Sequence, residues 1–229
     1  MASKRFKNLP KETMLIAPEL IEKLIPKVKK NCTTKFDESI DVSLLLNLKQ
    51  KKEELTLRTV VNLPNGNGKK IKVAVLCEEG KIAEAKTSGA ELFGSDTLVD
   101  EIMSGKIKFD KLVATPAMMP KMGKLGKILG PKGLMPNPKL GSVSEDIKLA
   151  VTNAKSGQAE IRNDKDGNIG VSIGKKSFHD DQLLKNFHAI LDTLEKEKGN
   201  LTLKGDLIKN TFITSSMGVS YKVKLGKVI

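Results

Sequence analysis

The sequence predicts two domains of mixed α/β and α+β class, a parallel α/β block inserted into an antiparallel α+β domain made from both chain ends. Three observations lead there. Residues 71–116 alternate apolar runs with helical stretches, β-α-β-α-β, which is the pattern of a parallel sheet. The flanks instead carry alternating strands and a long amphipathic helix, as in a sheet with one wet face. Charge divides along the same line. Residues 67–156 hold 15 lysines and 10 acidic residues, and five of those lysines fall in 116–139, which has no acid; the remainder carries 25 basic and 17 acidic residues. The boundaries are expected at 1–66 with 157–229 and at 67–156.

Taken in order, residues 12–30 repeat apolar side chains at spacings of three and four, a helix that Pro18 and Pro26 divide into two pieces. KFDESIDVSL (35–44) alternates apolar and polar, a strand with one wet face. LPNGNGKK (63–70) is turn-forming. IKVAVLC (71–77) is continuously apolar, as in a strand covered on both faces, and FDKLVATP (109–116) is a second such strand. Between them lie a helical EEGKIAEAKTSGAE, a short strand LFG (92–94) and a helix ending near Gly105. The stretch 123–139, GKLGKILGPKGLMPNPK, reads as a long basic Gly/Pro loop leaving the carboxyl end of a parallel strand, where such sheets bind ligands. SVSEDIKLAVTNAKSG (142–157) reads as a helix capped by Ser142 or Ser144. AEIRND (159–164) and NIGVSIG (168–174), joined by Asp166-Gly167, read as a hairpin. Residues 177–199 form a helix striped by Leu183, Leu184, Phe187, Ile190, Leu191 and Leu194, with Ser177 and Asp180 as a capping box and Gly199 as the closing cap. LIKNTFITSS (207–216) and VSYKVKL (219–225) are strands joined at Met217-Gly218.

The net charge of +13 points to a polyanionic partner. Only three of the 40 basic residues are arginine, Arg5, Arg58 and Arg162. Lysine is a hydrated point charge, so most of the attraction is salt-sensitive and blind to sequence, and specificity falls to a few other side chains. The N-terminus lacks a secretory apolar core, Glu12, Glu19 and Glu22 argue against a transit peptide, and no membrane span or membrane partner is expected. Cys32 and Cys77 read as reduced packing residues, consistent with a cytoplasmic compartment.

Enzyme chemistry finds no foothold. There is no phosphate-loop spacing, and Gly66-Asn67-Gly68 precedes a strand and lacks a third glycine, so no dinucleotide is bound there. Neither cysteine pairs with His179 or His188 at a zinc spacing, so no metal and no cofactor is expected. His179-Asp180-Asp181, Glu78-Glu79 and Glu145-Asp146 sit at helix starts, where carboxylates suit the dipole.

The order of motifs resembles the L-one family of large-subunit ribosomal proteins, bacterial or plastid in type. The matching stretches are KFDESIDV (35–42), VVNLPNGNGK (60–69), FDKLVATPAMM (109–119), GKILGPKGLMPNPKLGSV (126–143), NAKSGQAEIRNDKDGNI (153–169), GKKSF (174–178) and TSSMG (214–218). The resemblance implies a discontinuous RNA-binding domain with an inserted Rossmann-like α/β domain. It implies binding to large-subunit ribosomal RNA in the mobile stalk, help in releasing deacylated exit-site tRNA, and repression of the messenger RNA of the protein's own operon. It implies a monomer outside the ribosome, in the cytoplasm, or in the plastid stroma if organelle-encoded. A non-ribosomal RNA-binding or assembly factor of the same fold is the alternative.

The resemblance also maps the RNA-binding residues. They are Lys35, Phe36, Asp37, Glu38 and Ser39 with Thr214, Ser215, Ser216, Met217 and Gly218, and a further contribution from Arg162, Asn163 and Asp164. By their own pattern alone, Phe36 reads as a core side chain of an alternating strand and Met217 as a turn or core residue. Lys121, Lys124, Lys127, Lys132 and Lys139 are either a secondary RNA or tRNA contact or part of a structural latch. Two stretches depart from the family pattern, LNLKQKKEELTLRTV (46–60) and NIGVSIGKK (168–176), and leave the fine RNA contacts there open.

Overall fold

The computed structural model describes residues 17–47, 57–105, 107–200 and 206–225, with the side chains of Lys139, Gly199 and Asn200 left out. In chain order the elements are α1 (Ile21–Lys30), β1 (Ser39–Leu46), β2 (Arg58–Asn62), β3 (Val73–Leu76), α2 (Ile82–Thr87), β4 (Leu92–Gly94), α3 (Asp96–Met103), β5 (Lys111–Ala114), α4 (Met119–Met122), α5 (Gly126–Leu129), α6 (Ile147–Lys155), β6 (Gln158–Arg162), β7 (Asn168–Lys175), α7 (Asp180–Asn200), β8 (Ile208–Ser215) and β9 (Tyr221–Val223). The chain divides into two units, Met1–Gly68 with Ala159–Ile229, and Lys69–Gln158.

The unit made from both chain ends carries a four-stranded sheet in the order β7-β1-β8-β9 and a two-stranded sheet of β2 and β6. β1 is antiparallel to both β7 and β8, so a strand from each distant segment flanks it. Its alternation puts Ile40, Val42, Leu44 and Leu46 into the core with Leu24, Ile25 and Val28 of α1 and Leu183, Phe187 and Ile190 of α7. Burial of a side chain of this size is worth about 1.5–3 kcal/mol. α1 runs through Pro26 as one helix from Ile21, so Pro26 does not divide it; residues 12–16 of the expected helix lie outside the described residues.

The inserted unit has a parallel sheet in the order β4-β3-β5. All four residues of β3 are buried because both faces are covered. Ala74 and Leu76 face Leu98, Ile102, Met122, Leu125 and Leu129. Val73 and Val75 face Ala85, Ile147 and Val151. Cys32 and Cys77 are free and buried.

The structure corrects five further local expectations. β1 begins at Ser39, so residues 35–38 precede the strand, the first two of them in a bend over 34–36. The 159–164 and 168–174 segments are not a hairpin. The Asp164–Asn168 turn forms, but β6 then pairs with β2 and β7 with β1, leaving a single bridge between Asn163 and Ile169. Two partners from elsewhere in the chain outcompete the local pairing. α6 is capped by Asp146, whose carboxylate accepts the Leu149 N–H at 3.0 Å, rather than by Ser142 or Ser144. Ser177 does not cap α7, since its hydroxyl donates to Asp37; Gln182 instead reaches back to the His179 N–H at 3.0 Å.

The fifth correction concerns the basic Gly/Pro stretch. Its first part is not a loop: 3₁₀ and α turns follow one another from Pro116 to Leu129, and the irregular stretch expected here is confined to 130–137. Met118, Met122, Leu125 and Leu129, spaced four, three and four apart, are all buried as one helical stripe. Gly123 and Gly126 have helical φ of −54° and −55°.

Candidate nucleic-acid interface

Register places the two distant segments side by side. Ile40 of β1 faces Ser215 of β8, and Asp41 faces Thr214, so the bend before β1 meets the turn after β8 at one end of the sheet. The junction is closed by hydrogen bonds between residues 177 apart in sequence. The Ser39 N–H donates to Ser216 Oγ at 3.1 Å, and the Ser216 N–H donates to the Ser39 carbonyl at 3.0 Å.

Two large apolar side chains stand out from this junction. Phe36 is 55 % exposed and Met217 is 54 % exposed. Phe36 is not the core residue that its local pattern alone implies, whereas Met217 takes the turn position that its pattern allows. Phe36 lies in the bend, before the alternation of β1 takes hold, and Met217 sits at the tip of a turn. Lys35 and Ser216 are exposed beside them and Thr214 is half-buried. An exposed ring offers a stacking face for a base or ribose, a thioether adapts to an irregular surface, and hydroxyls can bond 2′-hydroxyls and phosphates.

Other residues of the two segments face inward. Glu38 and Ser215 are buried. The Glu38 carboxylate accepts the Thr34 N–H at 3.2 Å, the Thr34 hydroxyl at 2.7 Å and the Met217 N–H at 3.2 Å. Burial pushes its carboxyl up, but the contacts from the Thr34 and Ser215 side chains and the Met217 and Thr34 backbones outweigh that and hold it below the usual range. Asp37 is exposed and accepts both the N–H (3.1 Å) and the hydroxyl (2.8 Å) of Ser177, which ties the bend to the approach to α7. A Cβ on Gly218 would come 2.3 Å from Ser215 Oγ, so any larger residue here would force the Ser215 hydroxyl to turn away. Nearby, Gly174 has φ +153° at the end of β7, and a Cβ there would meet Leu183 at 2.8 Å.

Arg162, Asn163 and Asp164 are not brought to this end. Asn163 bridges Ile169, which faces Leu44, so the trio lies toward the far end of β1, about 20 Å along the strand from Ser39. Asn163 and Asp164 are also engaged there. Asn163 Oδ1 accepts the Leu57 N–H at 2.7 Å, and Asp164 accepts the Asp166 and Asn168 N–H groups at 3.0 and 2.7 Å. A side-chain hydrogen bond from Asn168 leads the contacts that lower the Asp164 carboxyl. Arg162 is exposed and remains available at that end.

In the inserted unit the lysines line the outer face of the 116–129 turns. Lys121, Lys124 and Lys127 recur every three residues opposite the buried stripe and are exposed, as is Lys132. Lys121 pairs with Asp96 at 2.6 Å. The side chain of Lys139 lies outside the described residues. Among the described residues no cluster of His, Cys, Asp and Glu could hold a metal, and no helix is long and apolar enough to cross a membrane.

Three contributors escaped the sequence reading: Thr34, Ser177 and Lys176, whose Nζ donates to the Cys32 carbonyl at 2.7 Å. Nothing in the spacing of Ser177 marks it as the partner of Asp37, because the contact spans 140 residues.

Fold and face together define a two-unit α/β protein that presents a preorganised turn surface at one end of an antiparallel sheet. The model of the ribosomal protein L1p/L10e family matches residues 28–219, and the chain belongs to that family. It is 76 % identical over 229 residues, the whole of both chains, to the large ribosomal subunit protein uL1 of Pelagibacter ubique (strain HTCC1062). It is 46 % identical over 204 residues to proteins of the same name from Rickettsia akari (strain Hartford) and Rickettsia bellii (strain OSU 85-389), covering 89 % of this chain and 85 % of each relative.

Proposed function

We propose that the chain is a structural, non-enzymatic protein of the large ribosomal subunit in the bacterial cytoplasm. It grips large-subunit ribosomal RNA through the unit made from both chain ends and forms the mobile stalk. Through the lysines of the inserted unit it contacts exit-site tRNA and assists its release. By the same RNA grip it binds the messenger RNA of its own operon and represses its translation, and it is a monomer when off the ribosome. Family membership and the names of the bacterial relatives support assembly into the large subunit. The observation that carries the RNA grip is the joint exposure of Phe36 and Met217 at one end of β1 and β8, bordered by hydroxyls.

The test is binding of the full chain to protein-free large-subunit ribosomal RNA. Phe36→Ala or Met217→Ala is expected to weaken it by ~1–3 kcal/mol, the scale of one stacked base. Equal affinity of variant and parent would overturn the assignment of this face. Co-sedimentation with the large subunit separates a ribosomal component from an assembly factor of the same fold.

A further inference from the structure

We infer that Glu38 is a positioning residue of the RNA face and not one of its contacts: its buried carboxylate clamps the 34–39 segment to the 215–218 turn, so that Phe36 and Met217 are presented together before any RNA arrives. The inference rests on the proposed reading of that face.

The residue types nearby make a carboxylate here surprising. A negative charge between Phe36 and Ser39, inside a segment that grips phosphates, ought to repel the ligand. The structure removes this carboxylate from the surface, for Glu38 is 0 % exposed, while the neighbouring Asp37 stays exposed and is occupied by Ser177. A buried carboxylate is tolerated only when donors surround it. Here both oxygens are used, and by different segments: Oε1 by the backbone and hydroxyl of Thr34, Oε2 by the backbone of Met217. The Thr34 hydroxyl also lies 3.1 Å from the Phe36 carbonyl oxygen, which draws the backbone of the aromatic residue into the same cluster. Glu38's own carbonyl accepts the Lys176 N–H at 2.8 Å, anchoring the clamp to the end of β7. The carboxylate thus spans the two segments that the sheet brings near but whose bend and turn β pairing does not hold. Charge-assisted bonds of this kind are roughly twice as strong as neutral ones. Ordering the face before binding spares that ordering cost when RNA binds.

The experiment is a double-mutant cycle with the full chain on protein-free large-subunit ribosomal RNA, paired with hydrogen exchange at the Met217 amide. Glu38→Ala is expected to fold, to bind roughly tenfold more weakly, and to exchange the Met217 amide faster, because the carboxylate hydrogen bond that holds this N–H is removed. Glu38→Gln keeps one oxygen acceptor and is expected to fall between alanine and parent. Adding Glu38→Ala to Met217→Ala should cost much less than adding it to the parent, since the clamp acts through the turn that Met217 occupies. Should Glu38→Ala fail to fold, Glu38→Gln carries the same cycle. Parental affinity in both Glu38 variants, or losses that simply multiply in the double variant, would overturn the clamp. If Phe36→Ala and Met217→Ala bind normally, the RNA reading fails instead. The amide readout then decides the clamp alone: faster exchange in Glu38→Ala supports it and unchanged exchange sinks it.

Discussion

The two candidate RNA-contact regions of this molecule are built in opposite ways. The face around Phe36 and Met217 is assembled from segments far apart in sequence, and its acidic residues are drawn inward or bonded, Glu38 by Thr34 and Met217, Asp37 by Ser177. The lysine face of the inserted unit is local. One helical run of turns buries Met118, Met122, Leu125 and Leu129 and leaves Lys121, Lys124 and Lys127 outside. The first arrangement fixes a shape with little charge, which suits specific recognition. The second displays charge on a simple scaffold, which suits salt-dependent attraction to phosphates of any sequence.

That contrast can be broken most forcefully from beneath the lysines. Leu125 is fully buried under them, and Leu125→Ala is expected to cost ~2–5 kcal/mol of the inserted unit's stability in denaturant unfolding. If the unit made from both chain ends carries the ribosomal RNA affinity, that affinity should survive at denaturant concentrations that unfold only the inserted unit; loss of both together would mean the regions are not separable. Next, replacing Lys124, Lys127 and Lys132 with Ala is expected to flatten the salt dependence of tRNA binding by about one unit per lost phosphate contact. An unchanged slope would remove the lysine face from the RNA account.

Acid should act on the other face. The folded Glu38 carboxyl sits below its ordinary value of 4.5, with Thr34, Ser215 and Met217 around it and the Cys32 thiol close enough to feel its charge. Its stabilisation is therefore complete above pH 4.5 and is lost as pH falls through the lower folded value. The stability gap between parent and Glu38→Gln is expected to close on acidification below that point; a gap constant across it would show that the charge is irrelevant. The smallest effect is expected at Gly123 and Gly126. Both have helical φ, and a Cβ on either would meet nothing within 4 Å, so alanine should stabilise the run by ~0.5–1 kcal/mol in thermal unfolding. Destabilisation would mean the turns are not helical in solution.

Legibility followed the range of the interactions. The parallel block could be read from IKVAVLC and FDKLVATP, because a strand covered on both faces must be apolar throughout. The helix over 177–199 announced itself by its stripe. The 116–129 turns are equally legible in the spacing of Met118, Met122, Leu125 and Leu129, although the glycines and prolines among them are the residues of a loop. Residues 35–39 and 214–218 were picked out by family resemblance, and no local pattern announced that Phe36 and Met217 would be exposed. The supposed hairpin after Asn163 failed for the same reason, since its turn is local and its strand partners are not.

The sequence by itself determined the covered strands, the amphipathic helices, the turns with their glycines and the excess of lysine, because each depends on residues within a few positions of one another. Only the tertiary structure decided that β6 leaves β7 for β2, that β1 carries Ser39 to Ser216, and that Glu38 is sealed beneath the face instead of standing on it. Those outcomes turn on strand register and on competition between partners more than a hundred residues apart, and neither is written in any short stretch of the chain.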